Sequence, residues 1–237
     1  MFGYFRFFNR TDFLFYFLVI MPIFLVSVIV TIRLKLIYRK FSKIGNKNMV
    51  SGAVVARNIL DGYGLHYVGV VPVYGELSDH YDPVKNVVSL SYKNYEGTSI
   101  AAIGVAAHEV GHAVQHAKNY VPVKIRSAVI PVTRFGSVLY FPVMIVGFLL
   151  SNLKLVYLGI ALFSLVTFFE FITLPVEFNA SRRAINILKS QKILNLEELK
   201  GVKKVLWAAA MTYVVSLVTS LAQLVRFILV AKTGEDD

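Results

Sequence analysis

Residues Phe13 to Ile32 read FLFYFLVIMPIFLVSVIVTI, a run with no charge and a single proline. A helix crosses roughly 30 Å of hydrocarbon in about 20 residues, so this run is long enough to span a bilayer. Three more stretches approach the same length and apolarity. Ala128 to Leu150 carries Arg134 near its start, Leu153 to Leu174 carries Glu170 near its end, and Val205 to Val230 holds Gln223 and Arg226. Ser151 to Lys154 forms a polar turn that makes the middle two a helical hairpin. A chain with its apolar residues gathered into four such runs cannot close around one water-soluble core. The expected fold is a mainly α-helical integral membrane protein. The first run starts too far into the chain, runs too long and lacks a small-residue cleavage site, so it reads as a retained span and not a signal peptide.

The charges set the direction of the spans. The net charge is +11, yet charged residues are only 16% of the chain, against about 25% in an ordinary soluble domain. Arg33, Lys35, Arg39, Lys40, Lys43 and Lys47 follow the first span, with only Arg6 and Arg10 before it. Arg182, Arg183, Lys189, Lys192, Lys200, Lys203 and Lys204 lie between spans three and four, against a lone Lys154 in the opposite turn, and the chain closes on Glu235-Asp236-Asp237. Because Lys and Arg in short flanks stay on the cytoplasmic side, all flanks agree on both termini outside and both polar segments in the cytoplasm. The basic excess then answers to topology and to the headgroups of the lipid bilayer. It does not point to nucleic acid, since no stacking or groove-reading motif accompanies it. The absence of cysteine excludes a disulfide scaffold, and 18 Phe with 13 Tyr exclude a disordered chain.

The expected organisation is a first span within 1–34, a cytoplasmic catalytic segment at 35–127 and a transmembrane hairpin at 128–174. A cytoplasmic helical segment at 175–204 and a last span with its tail at 205–237 complete it. Within the catalytic segment, Val50 to Leu60 has helical periodicity and is closed by Gly62 and Gly64. Tyr67 to Tyr74 and Val87 to Ser91 read as strands, with Asp82 to Asn86 as turn material. Ser99 is placed to cap a helix running to about Ala117.

That helix contains His108-Glu109-Val110-Gly111-His112, an H-E-x-x-H. Two histidines at i and i+4 project from one face and can converge on one Zn²⁺, with Glu109 facing the open coordination position. A carboxylate there can take a proton from an attacking water made acidic by the metal and pass it to the leaving amine. Ala106, Ala107 and Gly111 allow another element to approach closely. A third protein ligand is needed. His116 lies about 12 Å from His108 along the helix and cannot share a metal with both histidines. Position 118 is a lysine, which excludes the metalloprotease type with a third His six residues on. Leu60-Asp61-Gly62 precedes the motif and ends a soluble helix, so it reads as a helix-terminating turn and not as the L-D-G of an intramembrane protease. The strongest candidate is Glu177, which the charge rule places on the same side as His108 and His112.

Asp79-His80-Tyr81-Asp82-Pro83, the segment Val105 to Gln115 around the H-E-x-x-H, and Leu174 to Arg183 around Glu177 together resemble the YugP-type neutral zinc metallopeptidases, membrane proteins of bacteria. The resemblance runs from about Arg39 to the fourth span. It implies a small α+β zincin-like cytoplasmic unit, a zinc peptidase with His108, His112 and Glu177 as metal ligands, and Glu109 as base. The layout is also similar to the HtpX and CAAX-prenyl endopeptidase group, whose E-x-x-A-D pattern supplies the third ligand. Here Ser181 stands where that pattern has Asp, whose usual work is to orient a zinc-bound histidine. Ser181, Asn179 and Asp79 are the candidates for that contact.

An oxyanion donor is also required. His80, Tyr81, Arg182 and Arg183 are the available types, and His80 and Tyr81 are preferred because they follow a strand whose edge could hold an extended peptide. Arg134 and Glu170 are expected to pair or to reach polar groups, since an isolated charge in a span is costly. The reading is therefore a multi-pass zinc metallopeptidase of the cell membrane, acting at its cytoplasmic face on peptide or membrane-protein substrates. Co²⁺ or Mn²⁺ would tolerate the same ligands. The rivals are an intramembrane protease and a non-catalytic scaffold with a structural zinc.

Overall fold

The computed structural model describes residues 10–233; Arg6 and the acidic tail Glu235 to Asp237 lie outside that range. The chain is mainly helical. Helix α1 (Arg10–Phe15), a π-helical turn (Tyr16–Ile20) and α2 (Met21–Phe41) follow one another directly. Next come α3 (Gly52–Gly62), β1 (Gly69–Val73), β2 (His80–Asp82), β3 (Val87–Ser91) and α4 (Tyr92–Tyr95), then α5 (Ile100–Ala117), α6 (Val121–Leu149), α7 (Leu153–Ser190) and α8 (Leu196–Thr233). Four helical segments, Phe13–Phe41, Val121–Leu149, Leu153–Ser190 and Leu196–Lys232, are long and apolar enough to cross a membrane. Each coincides with one of the four expected spans to within a residue or extends beyond it, and all four run past the apolar stretches. Helix α6 continues through Pro131 and Pro142, and α7 through Pro175.

The residues form two compact units. One comprises the described residues up to Val30, Ile125–Leu174 and the described residues from Thr212. Its interior buries Met144, Val156, Ile160 and Ala231, with Phe163 packed on Tyr140 and Phe227 at 4.9 and 5.2 Å between ring centroids. Phe135, Val138 and Leu149 stay exposed. Glu170 does not pair with Arg134. Its Oε1 accepts a hydrogen bond from Ser216 Oγ at 2.8 Å, and among the described residues Arg134 has no ion pair. The cause is helical phase: α6 turns Thr133 and Gly136 inward, which leaves Arg134 on the exposed face.

The second unit comprises Thr31–Lys124 and Pro175–Met211. Its sheet has the order β1-β3-β2, with β1 parallel and β2 antiparallel to β3. Strand β2 is not among the expected strands, and only its last residue, Asp82, falls in the expected turn at Asp82 to Asn86. Three residues show no alternation, and the strand exists because His80 to Asp82 pair with Val87 to Ser89 across a turn in which Asn86 takes a left-handed φ of 53°. Around the sheet, Ile59, Leu60, Leu90, Ile103, Val110, Leu188 and Val202 form a common core, each fully buried. A large aliphatic side chain buried this way contributes about 1.5–3 kcal/mol.

Helix α5 lies at the centre of this core. Ser99 caps it by accepting from the Ala102 amide at 3.1 Å. It ends with the Asn119 amide bonded to His116 O and the Tyr120 amide to Gln115 O, while Asn119 sits at φ 53°. That double bond over a left-handed residue is a stable helix stop. Four fully buried alanines, Ala101, Ala102, Ala106 and Ala107, let neighbouring elements come close along its length.

Candidate metal centre

Two helices build the site. On α5, His108 and His112 stand one turn apart on the same face, with their Nε2 atoms 3.2 Å from each other. On α7, Glu177 Oε2 lies 3.2 Å from His108 Nε2 and 3.6 Å from His112 Nε2. Gly111 makes this approach possible: a Cβ there would lie 2.8 Å from the Ala180 carbonyl oxygen of α7. The three ligand atoms form a triangle whose edges match a tetrahedral zinc. Ligands about 2.0–2.1 Å from such an ion sit about 3.3–3.4 Å apart.

The hydrogen bonds behind the triangle fix which nitrogen of His112 carries a proton. Arg183 Nε, which can only donate, donates to Asn179 Oδ1 at 2.7 Å. Gln115 Nε2 donates to the same oxygen at 3.0 Å and to the Val176 carbonyl at 2.8 Å. Gln115 Oε1 is thereby turned toward His112 Nδ1, 3.0 Å away, and accepts its proton. His112 Nε2 is left with a lone pair facing the other two ligand atoms. His108 Nδ1 in turn lies 3.1 Å from Ser181 Oγ, a hydroxyl able to accept its proton when Nε2 binds a metal. The His112 lone pair, His108 Nε2 and a carboxylate oxygen face one another as a set that a cation can join. The donor set therefore fits zinc, and His108, His112 and Glu177 could hold it.

Glu109 is 9% exposed and has no hydrogen-bond partner among the described residues. Burial pushes its carboxyl above the ordinary range, opposed by the attraction of His108 and His112 and reinforced by the charges of Glu177 and Asp79. For His112, burial disfavours the protonated ring, but the hydrogen bond and charge of Glu177 more than offset this and leave its pKa raised.

The family model described as "Putative neutral zinc metallopeptidase" matches residues 16–232. The chain belongs to this family. It is also 48% identical over 200 residues to "Putative membrane protease YugP" of Bacillus subtilis (strain 168), an alignment that covers 84% of this chain and 89% of that protein. No solved structure gives a significant match. The resemblance carried by the H-E-x-x-H and Glu177 segments is borne out.

The remaining candidates fall at varying removes from the triangle. Ser181 contacts His108, whereas Asn179 acts one step further back, holding Gln115 and Arg183. Asp79 bonds the Ser91 amide at 2.8 Å and Asn94 Nδ2 at 2.9 Å and so anchors the end of β3. His80 and Tyr81 lie on β2: His80 Nδ1 is bonded to the Ser78 carbonyl at 2.8 Å, and the Tyr81 hydroxyl donates to Asn86 Oδ1 at 3.3 Å. The Tyr81 ring packs 5.5 Å from that of His116. Asp61, at the end of α3, pairs with Arg57 and His66, both at 2.8 Å, in keeping with a helix-terminating turn. Gln115 is the residue that motif spacing missed. Its one sequence signal was a glutamine three positions after His112 and seven after His108, on the face of the two histidines, and the structure buries it completely.

Proposed function

We propose that the chain is a multi-pass membrane zinc endopeptidase whose active site faces the cytoplasm, with both termini outside. The observation that carries this reading is the triangle of metal-accepting atoms on His108, His112 and Glu177 in a chain of a zinc metallopeptidase family. Four apolar helices of spanning length and the basic flanks of the first and third support the placement. Held by His108, His112 and Glu177, a zinc ion would supply Lewis acidity for water activation and for polarising a carbonyl. Glu109 takes the proton of the attacking water and delivers it to the leaving amine. Strand β2 is paired on one side only, so its free edge offers backbone groups to an extended peptide. His80 and Tyr81 on that strand are the donors proposed for the developing oxyanion. No covalent enzyme intermediate is needed.

A Glu109→Gln protein tests the reading against a structural zinc site. It is expected to keep its zinc and lose peptide hydrolysis by at least about a hundredfold, the usual range for a general base. Unchanged hydrolysis would remove Glu109 from the chemistry.

A further inference from the structure

Between α7 and α8, within the unit that holds the metal ligands, runs a groove of about 500 Å³. Its floor is apolar, with Phe178, Ile185 and Trp207 among its residues. The Phe178 and Trp207 rings meet edge to face, 5.8 Å between centroids, and Trp207 remains 60% exposed. Arg182, Lys203 and Lys204 also line it, no carboxylate does, and none of the three is in an ion pair among the described residues. An apolar trough flanked by unneutralised cations attracts an occupant that is apolar and negative together.

One wall ties the groove to the metal centre. Ser181 lines it and is the residue in contact with His108 Nδ1. Phe178, Arg182 and Ile185 follow Glu177 on the same helix by one, five and eight positions. Eight positions rise about 12 Å along a helix, the reach of about three to four residues of extended chain. A phospholipid is also apolar and negative, but a groove that reaches Ser181, the residue touching His108, lies where a polypeptide bound for the metal centre would pass.

We propose that this groove is a specificity subsite for an extended polypeptide carrying an apolar side chain near the scissile bond and a carboxylate within about three residues of it. The assignment rests on the peptidase reading of the metal centre. Phe178 and Trp207 receive the apolar group, while Arg182, Lys203 and Lys204 receive the carboxylate.

Trp207 is the chain's single tryptophan, so its fluorescence reads the groove directly. The probes are three tryptophan-free peptides with a central Leu-Phe followed three residues on by Asp-Glu, Asn-Gln or Lys-Lys. They are titrated into full-length, zinc-loaded Glu109→Gln protein in mixed micelles of dodecyl maltoside and phosphatidylcholine. The Asp-Glu peptide is expected to give a saturable fluorescence change with a Kd at least about tenfold below that of the Asn-Gln peptide. Both Lys203→Glu/Lys204→Glu and Arg182→Glu should weaken that peptide, the double change reversing the order in favour of Lys-Lys. Equal affinities, or no change in Trp207 emission, overturn the proposal. So does a response only when phosphatidylglycerol replaces phosphatidylcholine, because the groove would then be a lipid contact. Wild-type protein is assayed for cleavage of the same peptides. Charge-selective binding without cleavage refutes the peptidase reading and leaves the groove standing, whereas cleavage without charge preference refutes the groove alone.

Discussion

Replacing Gln115 with leucine removes the side chain that turns His112 toward the metal. The two residues are similar in volume, so the core is neither emptied nor overfilled. The Val176 carbonyl lies inside α7, where it keeps its helical partner, and Asn179 Oδ1 keeps Arg183 Nε at 2.7 Å. Only the His112 Nδ1–H is orphaned in a buried position, which costs about 1–3 kcal/mol of stability. Losing the group that orients a metal-bound histidine typically weakens metal affinity 10- to 100-fold, equivalent to about 1.4–2.7 kcal/mol. The two effects separate experimentally. Thermal unfolding of chelated protein reads the first, and competition with a calibrated zinc chelator reads the second. Gln115→Glu should show the opposite balance, because its carboxylate still accepts from His112 but faces the Val176 carbonyl and Asn179 Oδ1 as a third acceptor. If Gln115→Leu loses stability yet binds zinc within threefold of wild type, Gln115 merely ties α5 to α7, and the orientation argument is wrong.

Three further outcomes follow from the same geometry. Gly111→Ala places a methyl 2.8 Å from the Ala180 carbonyl oxygen, so α5 and α7 must separate. Overpacking of this kind costs about 1–3 kcal/mol, and the variant should show both a lower unfolding temperature and weaker zinc binding. Ser181→Ala should reduce zinc affinity about tenfold, whereas Ser181→Asp, with a charged acceptor for His108 Nδ1, should match or exceed wild type in the same competition assay. Free zinc at about a hundredfold over its Kd should stabilise the wild type by about 2.7 kcal/mol relative to chelated protein, a difference calorimetry should not find in Glu177→Ala.

The parts of the site that were legible in the sequence are those in which a local pattern has one physical solution. Ser99 as cap, the span to Ala117 and the pairing of His108 with His112 all follow from helical spacing, and β3 was read to the residue. What escaped depends on partners distant in sequence. Gln115 has meaning only through Val176, Asn179 and Arg183, more than 60 positions away, and β2 exists only because β3 is there to pair with it. Helix α7 continues through Pro175 from Leu153 to Ser190, as α6 does through Pro131 and Pro142, so the helices outrun the apolar stretches that mark them in the sequence. The charge in the third span needed a partner, as expected. That partner is the Ser216 hydroxyl and not Arg134, because helical phase, which charge counting ignores, turns Arg134 outward.

The central claim is that Glu177 completes a zinc site begun by the two histidines of α5. The most direct test is the zinc content of purified wild-type and Glu177→Ala protein after dialysis against a weak chelator, with circular dichroism to confirm that both are folded. The account predicts about one zinc per wild-type chain and almost none in the variant. A folded Glu177→Ala protein that retains equimolar zinc would contradict it and place the third ligand elsewhere.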